Sequence, residues 1–355
     1  MKIDNIDIII GGQFGSEGKG LVASEIAKKN TYNTIISVNS AQAGHTHYYL
    51  NEKVVLRFLP SGAITTNPYN WDRIVIANGA ILEHEGFIKE IEDISTRFPE
   101  LNIKNRLVVS AYASVITPTD VEWEKQHLPW QDTGSTQKGI GAALSRRVLR
   151  QGTIVKDSLQ KDLLDMGITV ADDVTEFYRG NILLEGSQGF GLSNHGRFYP
   201  KTTSRSTLSS AFLAYALLPP TKIRHIYGVY RTFPIRVAGE SGTLKDETTW
   251  ESIAESAGYK EPITEITTVT KRVRRVGQFD LDLFIESVLQ NGVNVPVFTF
   301  LNYLDAGVEK ANSFNDLSDE VQAWVLSTSS LVESQTKFVG LSTNKYNCFW
   351  YGKGE

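Results

Sequence analysis

An α/β fold built on a central, mainly parallel sheet is what the sequence predicts, on three observations. Short β-branched runs recur along the chain and are apolar at consecutive positions, as strands buried on both faces of a parallel sheet require. Amphipathic helical patterns lie between them, and alternation of strand with helix is the mark of α/β architecture. The first run leads straight into a glycine-rich loop, "GGQFGSEGKG", which opens a helix. A loop in that place sits beyond the carboxyl end of a strand, where α/β proteins hold their ligands.

The elements follow in chain order. "IDIII" (6–10) is the first strand, and Gly20 to Lys29 the helix after its loop. "TIISV" (34–38), "IVIA" (74–77) and "RLVV" (106–109) are further short apolar strands. "FIKEIEDISTRF" (87–98) puts Phe87, Ile88, Ile91, Ile94 and Phe98 on one face at helical spacing. Residues 111–180 are less regular, more helical and more charged, and are expected to form a helical insertion within a single domain spanning 1–355. "NILLEG" (181–186) returns to the strand pattern, helices are expected at 208–218 and 281–290, and "VPVFTF" (295–300) is the last clear strand.

The 355 residues are 41% hydrophobic and 21% charged, enough for a sizeable core. A formal net charge of -4 and a pI near 5.9 give no global basic field for a nucleic-acid polymer, whereas a small anion needs only local positive charge. Cys348 is the only cysteine, which excludes an internal disulfide framework and a cysteine-rich zinc site. No apolar run approaches the ~20 residues of a membrane helix, and the start "MKIDN" carries no signal region. A soluble protein of a reducing cytoplasm, the host's if the source is viral, is therefore expected.

Four loops and an arginine-rich segment carry candidate chemistry. In the first, Gly11, Gly12, Gly15 and Gly18 free the backbone N–H groups, the helix start adds its positive end, and Lys19 adds a point charge. Counting back from Gly18 places Gln13 at the first glycine of a Walker A pattern and Gly20 at its hydroxyl, so this is another kind of phosphate loop or a turn that only packs a helix on a strand. "NSAQAGHTHYY" (39–49) sets His45 at a strand end, as acid, electrophile or hydrogen-bonded structural residue, and His47 has no supporting context. "DTGSTQKGIGAALSRR" (132–147) is a second possible anion loop, and "EGSQGFGLSNHGRFYPKTTSRS" (185–206) is crowded with amides, hydroxyls and glycines. "TTVTKRVRRVGQFD" (267–280) packs Lys271, Arg272, Arg274 and Arg275 into five residues, which is either a solvated patch or a site for carboxylates and phosphates.

Taken in order, "GQFGSEGKG", "AGHT", "GSTQKGIG", "EGSQG", "HGRFYPKTTS", the arginine segment and "TFLNYLD" resemble the motifs of the adenylosuccinate synthetases, over about residues 6 to 305. The resemblance implies one large α/β domain, a homodimer, a need for Mg2+, and a carbon–nitrogen ligase reaction. In that reaction a nucleoside triphosphate phosphorylates the 6-oxygen of a purine nucleotide, and L-aspartate then displaces the phosphate. Carried over by position, Gly15, Glu17, Gly18, Lys19 and Gly20 hold the donor triphosphate, with Thr46, Arg274 and Asn302 also in the donor site. The catalytic positions are Ser16, Lys19 and His45, with His45 stabilising the 6-oxyanion; the metal positions are Ser16 and the Gly44 carbonyl. Gln42, Ser135, Thr136, Gln188 and Thr203 contact the purine nucleotide, and Arg150 reaches the nucleotide phosphate of the neighbouring subunit. Thr270, Arg272 and Arg274 receive the aspartate carboxylates.

Three departures sharpen the expectation. The usual loop reads G-D-E-G-K-G, and its aspartate takes the N1 proton of inosine monophosphate and ligates magnesium; Ser16 stands there instead. A hydroxyl is smaller and neutral and leaves room beside N1 and C2, the corner where guanine carries its 2-amino group. That matches a phage-type branch of the family, the N6-succino-2-amino-2'-deoxyadenylate synthases, which act on dGMP. The usual guanine-reading T-K-L-D-V-L is Thr299, Phe300, Leu301, Asn302, Tyr303 and Leu304 here, so the carboxylate that pairs with guanine is gone and ATP or dATP is the expected donor. Gln42 replaces an asparagine. The missing base leaves two routes: N1 loses its proton to water, a substrate phosphate or Glu17, or Ser16 only positions the purine while His45 and magnesium supply the electrostatics. The expected function is thus a ligase of L-aspartate and dGMP, set against an ordinary synthetase acting on IMP and a catalytically silent nucleotide sensor. Retention of Lys19, His45, Arg272 and Arg274 speaks against the sensor.

Overall fold

The strand expected first, β1 (Lys2–Gly11), lies in the middle of a ten-stranded sheet. In this computed structural model, residues 2–65, 73–128, 135–266, 272–332, 338–346 and 348–352 are described. The other sheet strands are β2 (Thr34–Ser37), β3 (Arg73–Ile76), β4 (Leu107–Ser110), β5 (Thr169–Ala171), β6 (Arg179–Glu185), β7 (Ile223–Arg231), β8 (Val295–Thr299), β9 (Phe338–Leu341) and β10 (Phe349–Gly352). Their order is β10-β9-β8-β7-β1-β6-β2-β3-β4-β5, every neighbouring pair parallel except the β9–β10 edge. The sheet is mainly parallel, as expected.

The apolar runs are continuous because both faces are covered. Ile9, Ile35, Ile74, Ile76 and Val109 pack on one side with Val22 and Ile26 of helix α1 (Lys19–Lys29) and Phe87, Ile91 and Ile94 of helix α2 (His84–Arg97). Ile8, Ile10, Ile36, Val75 and Leu184 pack on the other with Phe212, Phe284 and Val325. The period-2 split of consecutive isoleucines in β1 is what a two-faced buried strand demands.

β7 carries no expectation from the sequence, because Arg224, His225 and Gly228 break its apolar pattern. It nevertheless pairs with both β1 and β8. Its Tyr230 also shapes the first loop: a Cβ on Gly12 would stand 1.9 Å from the Tyr230 ring, so only glycine lets the chain leave β1 there. In the region expected to be a helical insertion lie helix α3 (Pro118–His127), helix α4 (Ile140–Val148) and two shorter helices ending at Asp165. The chain then re-enters the main sheet as β5, so residues 169–171 belong to the sheet itself. No described helix is long and apolar enough to cross a membrane.

Because β1, β2, β6, β7 and β8 run in the same direction, the segments that follow them emerge at one edge. Those segments hold Ser16, His45, Gln188, Thr232 and Asn302.

Candidate active site

The loop between β1 and α1 turns through three left-handed residues, Gly15 (φ 89°), Ser16 (φ 59°) and Gly18 (φ 91°). Such turns point successive N–H groups inward as an anion cradle. Glu17 fills that cradle from within: its carboxylate accepts from the backbone of Gln13 (3.2 Å) and Gly15 (2.7 Å) and from Lys19 Nζ (2.8 Å). Glu17 is fully buried and Lys19 nearly so. Its carboxylate is committed to the loop and does not face outward toward a purine, which removes it as the replacement base. Ser16, by contrast, is exposed.

The Ser16 hydroxyl accepts from Arg274 Nη1 at 2.5 Å. A second arginine supports this contact from below. Arg231, fully buried at the end of β7, donates to the Ser16 carbonyl (3.2 Å) and pairs with Glu265 (2.5 Å). Its backbone is clamped by the Gln13 side chain, which donates to the Arg231 carbonyl and accepts from its N–H, both at 3.0 Å. The Glu265 carbonyl in turn accepts from the Arg274 N–H (2.9 Å), closing a circuit from the glycine loop to the arginine segment. Burial pushes the Glu265 carboxyl up, but Arg231 and then Arg274 outweigh it and hold it below the usual carboxylate range. Arg274 is itself lowered by burial. Arg272 is exposed on the same segment, while Thr270 and Lys271 fall outside the described residues.

His45 opens a short hairpin, His45–Tyr49 with Glu52–Leu56, in which His45 and His47 point inward and Thr46 outward. His45 Nδ1 has no hydrogen-bond partner and lies 3.7 Å from Glu185 Oε2 at the end of β6. Glu185 is fixed by the N–H groups of Ser61 (2.9 Å) and Gly62 (2.6 Å). His47 is structural: burial lowers its pKa to about 4, and its Nε2 bonds to the Ile64 carbonyl (3.1 Å). Gly44, just before the hairpin, is exposed, and nothing lies within 4 Å of where a Cβ would stand on it.

Gln42 gathers the expected purine-nucleotide residues. Its Nε2 donates to Thr203 Oγ1 (2.6 Å), and its Oε1 accepts from Thr136 Oγ1 (3.4 Å). Ser135 precedes Thr136 and accepts from the Gln137 N–H (3.1 Å). Gln188 is half-buried in the left-handed region (φ 65°). The start of α4, expected as a second anion loop, already holds an anion. Glu124 of α3 accepts there from the N–H groups of Gly139 (2.7 Å) and Gly141 (2.6 Å). That loop is therefore closed to an outside phosphate at its helix end, while Thr136 remains beside Gln42. Arg150 lies apart from these groups on an exposed corner past α4, beside Val148 (77% exposed) and Leu149 (62%).

On the other side of the loop, Thr299 Oγ1 donates to the Glu17 carbonyl (2.7 Å), and Thr232 Oγ1 to the Phe300 carbonyl (2.8 Å). The Arg231 guanidinium lies 4.3 Å over the Phe300 ring. Asn302 Nδ2 donates to the Tyr259 hydroxyl (2.8 Å), while its Oδ1 has no partner. Among the described residues, Ser16 and Arg274 thus meet at one edge of the sheet, where Lys19, His45 and Gln42 with Thr136 and Thr203 also lie. Arg231, Glu265 and Glu185 are not among the sequence-predicted residues. Arg231 was hidden by the missed strand, and Glu185 stands in "EGSQG" without a cue to its partner.

The family profile of adenylosuccinate synthetase matches residues 8–179 and 162–312. The chain belongs to the adenylosuccinate synthetase family. Members of this family are carbon–nitrogen ligases. The chain is 31% identical over 351 residues to an N6-succino-2-amino-2'-deoxyadenylate synthase of Vibrio phage phiVC8, with 95% of each chain covered. It is 33% identical over 323 residues to an adenylosuccinate synthetase of Methanocaldococcus jannaschii, covering 90% of this chain and 88% of that one. Among solved structures, a cyanophage S-2L succinoaminodeoxyadenylate synthetase, bound to dGMP and to dATP as an energy donor, superposes with a TM-score of 0.77 at 24% identity, covering 98% of this chain and 95% of that one. The synthetase fold is therefore shared along almost the whole chain.

Proposed function

We propose that the protein joins L-aspartate to C6 of dGMP, driven by ATP or dATP, to give N6-succino-2-amino-2'-deoxyadenylate. The observation that carries this is Ser16, an exposed hydroxyl at the tip of the phosphate loop, held by Arg274. Overall identity does not decide between substrates, because the phage and archaeal relatives stand at 31% and 33%. Position 16 supports the dGMP reading, since a neutral hydroxyl leaves space for the 2-amino group of guanine.

In this chemistry the donor's γ-phosphoryl group moves to O6 of the purine, the bond to the β-phosphate oxygen breaks, and the N1 proton passes to water or a substrate phosphate. The aspartate amine then attacks C6, loses a proton, and O6 departs with the phosphate. Lys19 and the loop N–H groups other than those of Gln13 and Gly15, which Glu17 occupies, bind the donor phosphates, and His45 faces O6 with Glu185 behind its Nδ1. Arg272 and Arg274 receive the aspartate carboxylates, and Gln42, Thr136 and Thr203 form the nucleotide side. Asn302 has no anion with which to select guanine, in keeping with an adenine donor.

The residues fit a magnesium ion brought in on phosphate. Among the described residues no group of three or more His, Cys, Asp or Glu is placed to hold a metal, and Ser16 Oγ is engaged by Arg274. The exposed Gly44 carbonyl is a suitable neutral oxygen, and Mg2+ commonly relies on substrate phosphates and water for the rest. When bound, it would neutralise phosphate charge. A homodimer, with Arg150 crossing to the neighbouring nucleotide phosphate, completes the proposal.

Phosphate release with aspartate and Mg2+, crossing dGMP, GMP and IMP against ATP and GTP, tests it, with product mass checked. Turnover of dGMP with ATP is expected. Turnover of IMP alone would make the protein an ordinary synthetase, and binding without aspartate-dependent phosphate release would make it a sensor.

A further inference from the structure

A second cationic cavity, of about 740 Å³, lies outside the constellation just described. Its walls come from residues 197–201 and 236–243 with Arg275, and none of the residues assigned above to substrate or donor lines it. Four cations face it, Arg197, Lys201, Arg236 and Arg275, against one carboxylate, Glu240.

Carboxylates pair with Arg275 and Arg197. Arg275 forms a two-pronged pair with Glu247 (2.7 and 2.6 Å), and Arg197 pairs with Glu286 (3.1 Å). Arg236 differs. It is 3% exposed, and among the described residues no carboxylate pairs with it. Its Nη1 donates to the carbonyls of Lys201 and Ser241, but Nε and Nη2 have no hydrogen-bond partner. A buried guanidinium without a counter-charge is costly, and an anion offsets that cost. Gly242, at φ 106°, lets the backbone pass close beside the group, because a Cβ there would stand 2.7 Å from Arg236 Nη1. Burial, reinforced by Arg275, lowers the Arg236 pKa to about 10, which still leaves it charged at neutral pH.

We propose that this cavity is an accessory site for a phosphate-bearing small anion, with Arg236 as its central cation and Lys201 on its wall. It shares a partition with the phosphate loop, since the Arg236 guanidinium lies 3.9 Å over the ring of Phe14, between Gln13 and Gly15. The proposal stands whether the catalytic substrate is dGMP or IMP.

Calorimetric titration of the full-length protein with inorganic pyrophosphate tests it. Wild type is expected to bind pyrophosphate at two sites per chain, one of them the glycine loop. Lys201→Glu is expected to weaken the other at least tenfold and leave the first unchanged. Arg236→Met is expected to do the same, and Lys201→Glu, at the half-buried wall, serves if loss of the buried arginine prevents folding. One site in wild type, or two sites of unchanged affinity in Lys201→Glu, would overturn the proposal.

Discussion

Ser16 does two things that an aspartate would do differently, and each has its own substitution. Its hydroxyl is the acceptor for Arg274 Nη1, so Ser16→Ala leaves a partly buried guanidinium short of a partner. A hydrogen bond to a charged group contributes about 1.5–3 kcal/mol, so the KM for aspartate is expected to rise about tenfold or more, with the KM for the donor little changed. Ser16→Asp should fold, since aspartate is among the residues that tolerate a left-handed backbone such as φ 59°. Its carboxylate is expected to pair with Arg274 and crowd the C2 corner of the purine, cutting kcat/KM for dGMP about tenfold or more while IMP improves. Steady-state kinetics on both nucleotides checks this; unchanged dGMP turnover would mean that position 16 does not read the base. The residue types here were legible in the sequence. The contact was not, because Ser16 and Arg274 are 258 positions apart and only the shared sheet edge brings them together.

At the scale of elements, buried and half-buried glutamates fasten loops to helices. Glu17 fills the glycine loop before α1, Glu124 fills the start of α4, Glu185 holds the turn at Ser61, and Glu90 of α2 accepts from the N–H groups of Arg57 (2.7 Å), Phe58 (3.0 Å) and Leu59 (2.7 Å). Sequence patterns register these residues only as charges, and a charge in a helical stretch looks like a solvated face. The apolar strands, by contrast, were legible wherever their runs were unbroken, as in β1, β2, β3 and β8. Glu90 also yields a pH signature. Burial raises its pKa from 4.5 to about 7, against the three N–H groups that favour the ionised form. A raised acid makes the folded state bind the proton more tightly, so the stabilisation is full below 4.5 and is lost as pH rises through about 7. Thermal melts of wild type should show that decline, and Glu90→Gln should lack it. The variant should also be less stable throughout by about 1–3 kcal/mol, because its amide N–H₂ meets an N–H donor. An identical pH profile in both would remove Glu90 as the origin.

At the scale of the molecule, one sheet edge collects most of the site but not all of it. The edge gathers the glycine loop, hairpin, arginine segment and Asn302, yet Arg150 lies on an exposed corner beyond α4, with Val148 and Leu149 open beside it. A cation and two large apolar side chains so exposed suit a surface that a second copy covers. If Arg150 serves the neighbour's nucleotide, each active site needs His45 from one chain and Arg150 from the other. Two impaired variants, assayed at a purine-nucleotide concentration that leaves Arg150→Ala nearly idle, then test the arrangement together. Arg150→Ala should raise the KM for the purine nucleotide, and His45→Ala should abolish turnover while leaving Arg150 in place for a partner. Mixed after gentle dissociation, they form mixed pairs in which one site has both residues and the other has neither. With random pairing, half of the dimers are mixed and each has one working site of two, so about a quarter of wild-type activity should return. Recovery that follows the mixing ratio, with a dimeric mass in solution, would place Arg150 across the interface. No recovery from a dimer that exchanges subunits would confine each site to a single chain and leave Arg150 as a surface residue.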